Sequence, residues 1–266
     1  MTKGILPLDS TLFNLDDKHL KFFRSLTGFT DDEVVKKHIM AIQAMAYEVG
    51  CSALLLSEDT QSLVLALPVS MYTPLLICKV AYHPDTDVAV CSIASHRVHA
   101  LMECAQVGSD LRKVVLDGWP ASKAIGSDLC PQFWQWGHEL YRTSPSTFPA
   151  GFVPGDAFNP QILSLNDPFY LPPPTTPKPT NLSSLTSLNP LKGHVSAIHT
   201  SLLFHLFDEE KQLDLARRLA SLLSPEEGSM IFGGHYARPK QGVRTEILAD
   251  ERGNRFGRNR YSGKEV

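Results

Sequence analysis

Two aspartates carry the first chemistry that can be read from this chain. Lys123-Ala-Ile-Gly-Ser-Asp128 and Gly151-Phe-Val-Pro-Gly-Asp156 are both short apolar runs that end on an acid. Between them, Phe133, Trp136 and Leu140 recur at helical spacing across Pro131 to Arg142, and Pro131 suits a first helical turn, where its missing N–H is no loss. Strand–acid, helix, strand–acid is half of a doubly wound α/β sheet. Both carboxylates then sit at carboxyl ends of parallel strands, where ligands of such sheets bind. An acid after the second strand can accept from two ribose hydroxyls, and one after the third can accept from the exocyclic amine of adenine. The pair suits a nucleoside with a free ribose. The plainer alternative is that each acid caps the turn that follows it, which aspartate does well.

The elements around these acids can be read in the same way. Asp16 to Leu26 is a helix with Leu20, Phe23 and Leu26 on one face, and Gly28 separates it from the next. Thr30 and Glu33 have the spacing of a capping box. The helix behind them carries Val35, Ile39, Ile42, Ala46 and Val49 as its apolar stripe. Ser109 to Leu116 is a further helix, ended by the turn Asp117-Gly-Trp-Pro120, with Gly118 as the terminator and Trp119 as packing. His194 to His199 reads as a fourth strand, and Thr200 to Leu206 leaves its carboxyl end. Asp208 caps a helix with Leu213, Ala216, Leu219 and Leu223 inward. Gly228 to His235 reads as a fifth strand. His199, His205 and His235 therefore fall near carboxyl ends of strands and are the candidates for a general base. The competing reading of each is a structural histidine.

At this point a resemblance becomes specific. The segments DGWP (117–120), SDLCPQFWQWGHELYR (127–142), FVPGDAF (152–158), SSLTSLNPLKGHVSAIHTSLLFHLFDEEKQL (183–213) and LLSPEEGSMIFGGH (222–235) resemble a family of fungal class I methyltransferases. So does the opening LDSTLFNLDDKHLKFFRSLTG (8–28). Those enzymes use S-adenosylmethionine to tailor terpenoids, polyketides and related metabolites. The resemblance implies a Rossmann-like α/β sheet with helices on both faces, behind an N-terminal helical extension that helps to close the substrate pocket. It implies methylation of a carboxyl or hydroxyl on a small molecule, and homodimers. It also implies roles for residues. Asp128, with the Leu129 backbone, would hold ribose. Asp156 would take the adenine amine, with Ala157 and Phe158 beside the ring, and Gly108 would belong to the turn around the amino-acid end. A nicotinamide-dependent oxidoreductase is an alternative, since an acid after the second strand serves NAD equally; no G-x-G-x-x-G is present.

The chain departs from that family in two places. The first is 50–107, where the family has a strand ending in an acid and a glycine-rich turn. Aligning Leu101-Met-Glu-Cys-Ala-Gln-Val-Gly108 with that strand end puts Met102 at the acid and Cys104 at the first glycine; only Gly108 matches. We hypothesise that this block is translated intron or shifted frame, motivated by its sharp edges and changed composition; a mature transcript encoding it in frame would overturn the idea. On that view the chain is a catalytically inactive methyltransferase-like product. Otherwise Leu63 to Leu67, Leu75 to Val80 and Val88 to Ile93 are apolar enough for strands. Cys91, His96, His99 and Cys104 have zinc-ligand chemistry, but their spacing fits no familiar module, so no metal is expected. The second departure is the tail, 237–266. It is arginine-rich with interleaved acids, which reads as solvated and flexible, without the two further strands of the family.

These readings divide the chain into a helical extension (1–49), the anomalous segment (50–107), the core (108–236) with a proline-rich insertion (159–190), and the tail. Seven prolines fall between Pro168 and Pro190, so this connection is a lid, a binding loop or a spacer. The 266 residues suffice for one α/β domain, and 43% hydrophobic with 20% charged residues describes a globular protein. A net charge of −3 gives no ground for a nucleic-acid or membrane partner. Five cysteines, an odd number in a chain without a signal-like start, point to a reducing cytoplasm.

Overall fold

The computed structural model describes residues 15–50, 89–91, 107–200, 203–204, 207–233, 242–249 and 255–262. Five parallel strands form one sheet in the order β3-β2-β1-β4-β5. They are β1 (Ala89–Cys91), β2 (Ala124–Asp128), β3 (Gly151–Pro154), β4 (Ala197–His199) and β5 (Met230–Phe232). The helices are α1 (Asp17–Thr27), α2 (Asp32–Gly50), α3 (Ser109–Leu116), α4 (Pro131–Leu140), the single turn α5 (Pro160–Leu163) and α6 (Glu209–Leu222). This is the Rossmann-like α/β fold expected from the sequence. Its strand order reverses at β1, so the crevice at the carboxyl ends of β1 and β4 is the topological switch point.

The central strand corrects one expectation. β1 comes from within the anomalous segment, at the third of its three apolar runs, and pairs with β2 (Cys91 opposite Gly126) and with β4 (Cys91 opposite His199). The first strand therefore ends at Cys91, not at Met102. Met102 and Cys104 lie outside the described residues, as do Leu63 to Leu67, Leu75 to Val80, His96 and His99.

Burial follows from the two-sided covering of the sheet. β2 is buried along its whole length, as a parallel strand with helices on both faces must be. Ile125, Val153 and Ile198 point to the face packed by Leu215, Leu219 and Leu222 of α6. Ala124 and Ala197 point to the other, against Leu111 and Val114 of α3 and Trp119. In α6 the inward stripe is displaced from the expected one: Leu213 is 53% exposed, while Leu215 and Leu222 are fully buried. The cap at Asp208 is as expected, its Oδ1 accepting from the Lys211 N–H at 3.0 Å.

The N-terminal helices form a separate packing layer on α4. Phe22, Phe23, Val35, Ile39 and Ile42 meet Phe133, Leu140 and Tyr141. Arg142 donates to the Thr27 carbonyl at 2.8 Å, and His38 Nε2 donates to the Leu140 carbonyl at 3.0 Å. α1 is capped by Asp16 and ends on Gly28 at φ 73°, a left-handed position suited to glycine. Two details differ from the reading of the sequence. In α1 Phe22 joins Phe23 as the buried pair, with Leu20 and Leu26 only half-buried. At α2 the capping side chain is Asp31, which accepts from the Glu33 N–H at 2.8 Å, rather than Thr30. The side chains of Ala46 and Val49 lie outside the described residues.

The proline-rich insertion is anchored at both ends. Leu163, Leu182, Leu188 and Leu191 are buried in the α6-side core. Gly151 of β3 lets the chain close on it, since a Cβ there would stand 2.5 Å from the Leu182 carbonyl oxygen. Between these anchors Tyr170 and Leu171 are exposed.

The tail also departs from expectation. β6 (Gly242–Ala249) and β7 (Arg255–Ser262) pair antiparallel in a sheet of their own. Val243, Thr245 and Ile247 alternate with other residues at period two, which the arginine content obscured. The register sets Glu246 opposite Arg258 and Leu248 opposite Phe256. Among the described residues, no helix is long and apolar enough to cross a membrane.

Candidate functional site

The two acids of the sequence reading stand at neighbouring strand ends. Asp128 is the last residue of β2, and its register partner is Pro154, two residues before Asp156. The Gly155 N–H donates to the Asp128 carbonyl at 2.9 Å, which continues the pairing beyond β3. Both acids also cap their turns, as the plainer reading required. Asp128 Oδ1 accepts from the Cys130 N–H at 2.8 Å, and Asp156 Oδ1 accepts from the Phe158 N–H at 2.9 Å. The same two-residue Asx geometry thus recurs at both strand ends, and in each it engages one carboxylate oxygen.

Their environments separate them. Asp128 is buried, and loss of solvation pushes its pKa up to about 7; donation from the Cys130 and Leu129 amides opposes that rise. Asp156 is half-exposed. Burial, with the Asp128 charge nearby, also raises the Cys130 thiol. Of the residues expected beside an adenine, Ala157 is fully buried in the α6-side core. Phe158 is partly buried, edge-on to Phe207 at 5.2 Å between centroids. Leu129 is half-buried, beside Asp128.

Gly108 opens α3 at φ 68°, a conformation that disfavours any side chain. A Cβ there would lie 2.7 Å from Arg112 Nη1 and 2.9 Å from the Trp134 ring. Its neighbour Val107 is approached as closely from α4: a Cβ on Gly137 would stand 2.1 Å from the Val107 carbonyl oxygen. The glycine at 137 is therefore a packing requirement that helical periodicity did not signal. Around the turn, the fully buried Arg112 guanidinium lies against Trp134, Tyr141 and Phe148, at 5.4, 4.8 and 4.5 Å from their ring centroids. Burial lowers its pKa to about 10.

His199 ends β4 between Cys91 of β1 and Phe232 of β5. It is buried, its ring 5.1 Å from that of Phe232, and its Nδ1 is 3.8 Å from Asp110 Oδ2 on the first turn of α3. Burial lowers its pKa and Asp110 opposes that shift, so the ring is neutral at pH 7. His205 and His235 lie outside the described residues. The fold thus brings Asp128, Asp156, His199 and, through α3, Asp110 to the carboxyl edge of one sheet. The pairing of Asp110 with His199 had no signal in the sequence, because it depends on where α3 lies against β4. Among the described residues, no group of His, Cys, Asp and Glu is arranged to hold a metal ion.

No protein-family model matches the chain. It is similar to fungal methyltransferases. O-methyltransferase phiE of a fungal species is 26% identical over 184 residues, 69% of this chain and 53% of that one. Methyltransferase adrK of Penicillium rubens is 30% identical over 124 residues, 47% of this chain and 36% of that one. Asnovolin E/Chermesin D methyltransferase nvfJ of Aspergillus novofumigatus is 33% identical over 126 residues, 47% of this chain and 37% of that one. The chain spans about half, or less, of the length of these curated relatives. Among solved structures, an S-adenosylmethionine dependent methyltransferase from Mesorhizobium loti matches with a TM-score of 0.33 and 15% identity, covering 65% of this chain and 56% of that one. The fold assignment rests on the parallel strand order rather than on that superposition.

Proposed function

We propose that this chain, similar in sequence to fungal methyltransferases, holds S-adenosylmethionine at the carboxyl edge of its parallel sheet and transfers the methyl group to a carboxyl or hydroxyl of a small fungal metabolite. The carrying observation is the pair Asp128 and Asp156 on adjacent parallel strand ends, each with one oxygen engaged in its turn. The second oxygen of each is the one that a ligand's donors would meet. The residues fit the group: Asp128 for ribose hydroxyls, Asp156 for the adenine amine, and the Gly108 turn at the start of α3, whose left-handed backbone disfavours a side chain, for the amino-acid end. When bound, S-adenosylmethionine supplies the methyl carbon and the sulfonium leaving group. The chain's own task is then alignment, which supplies much of the rate in such displacements.

A hydroxyl acceptor must also lose a proton. His199 is the base we assign, because it is neutral at pH 7 and Asp110 lies beside its Nδ1 to orient the ring and stabilise the imidazolium. A carboxylate acceptor needs no such base. The two acceptor classes are therefore separable: H199A lowers kcat at least 100-fold for a hydroxyl acceptor and leaves a carboxylate acceptor within a few-fold. The relatives named above are methyltransferases by name and lend no support to the nicotinamide reading. A homodimer, which the resemblance implies, is part of the proposal and is read from mass by light scattering.

Calorimetric titration of the full chain with S-adenosylmethionine tests the function. Binding with one site per chain, weakened in both D128N and D156N, is the expected result. No heat with S-adenosylmethionine would overturn the reading and favour the inactive one; heat with NAD alone would favour the oxidoreductase.

A further inference from the structure

Arg112, Tyr141 and Thr143 are not accounted for by contact with any ligand in the reading above, yet they converge on the turn that opens α3. Arg112 Nη1 donates to the Val107 carbonyl at 2.8 Å and to the Gly108 carbonyl at 3.3 Å. Its Nη2 donates to Thr143 Oγ1 at 3.2 Å. That hydroxyl lies 3.0 Å from His138 Nδ1, to which it can donate. The Tyr141 hydroxyl and Ser109 Oγ share a hydrogen bond of 2.5 Å, both buried. Tyr141 is in turn stacked on Phe23 of α1, with centroids 5.4 Å apart and planes 8° apart.

We propose that Arg112 and Tyr141 are positioning residues, which hold the Val107–Ser109 turn in the shape that receives a ligand and connect that shape to the N-terminal helical layer. Physically, a left-handed glycine has many competing conformations, and something must select one. Two carbonyls that accept from one Nη1 of a planar, buried guanidinium do so, and the guanidinium is itself held by the bond from its Nη2 to Thr143. The stack of Phe23 on Tyr141 gives the phenol ring one orientation, so its hydroxyl meets Ser109 in one place. The N-terminal helices thereby act on the cofactor turn without touching the cofactor. This inference rests on the assignment of the turn to S-adenosylmethionine.

The test uses Y141F and T143V in the full chain. Neither residue is in the turn, and each substitution keeps the shape of the side chain. Titration with S-adenosylmethionine is expected to show a Kd raised about three- to tenfold in each variant, the range for one hydrogen bond lost from a positioning network. Hydrogen exchange is expected to quicken at the Ser109 to Arg112 amides while the core of α6 is unchanged. A role in stability alone would lower the melting temperature and leave both Kd and local exchange as in the wild type, which would overturn the proposal. If the wild type fails to bind S-adenosylmethionine, the functional reading falls; exchange at the turn then still decides whether Arg112 and Tyr141 hold it. Unchanged exchange in Y141F overturns that claim in either case.

Discussion

Replacing Asp128 with asparagine separates a buried capping acid from a buried binding acid. The side chain keeps its shape, and the asparagine Oδ1 can still accept from the Cys130 N–H. What disappears is a charge held without water. Burial raises the Asp128 pKa from 3.8 to about 7. At 1.36 kcal/mol per unit, ionising this group in the folded chain costs about 4 kcal/mol relative to the unfolded chain. The sign follows from linkage. Because the folded pKa is raised, the protonated side chain's contribution is fully present below the unfolded value of 3.8 and is lost as pH rises through about 7. Wild type therefore loses stability between about pH 4 and 7. D128N lacks that component and is the more stable protein at pH 8, by up to about 4 kcal/mol. Affinity moves the other way. A ribose that donates to the ionised carboxylate loses charge-assisted bonds of about 1.5–3 kcal/mol, or roughly ten- to 150-fold in Kd. Bound ribose also favours the ionised form, so wild-type affinity falls as pH drops below about 7 and the D128N affinity does not. Urea unfolding at pH 5.5 and 8.5, with calorimetric titration of S-adenosylmethionine at each, reads both effects. A D128N chain that is less stable at pH 8 and binds as tightly as wild type would refute the reasoning and leave Asp128 as a cap.

Further outcomes follow from single contacts. G137A places a methyl 2.1 Å from the Val107 carbonyl and must move backbone, so urea unfolding should show a loss of at least about 2 kcal/mol. D208A removes the side-chain acceptor for the Lys211 amide and lowers stability by about 1 kcal/mol in the same assay. D110N removes the charge that raises the His199 pKa, so the imidazole titrates at still lower pH, read from its carbon-bound ring protons by NMR. An unchanged titration would sink the pairing seen at 3.8 Å.

Some of this protein could be read from residue order alone. The two acid-terminated runs, the helix between them and the strand–helix–strand that follows are local patterns. Period two or 3.6, a proline at a helix start and an aspartate at a cap need no distant partner, so Ser109–Leu116, Ala124–Asp128 and the Asp208 cap emerge where expected. Local reading erred where two signals compete within one turn, as between Thr30 and Asp31 at the start of α2, and where charge hid alternation, as in the tail hairpin. The tertiary structure decided the rest. The central strand at Ala89–Cys91 had been one apolar run among three, and only pairing with β2 and β4 singles it out. Nor could order alone show that Arg112 lies inside an aromatic box, that Gly137 must be bare, or that Asp110 meets His199. Each depends on which surfaces of separate elements come together. Burial, which makes Asp128 a weak acid and His199 a neutral base, is a property of the packed chain and not of the residue.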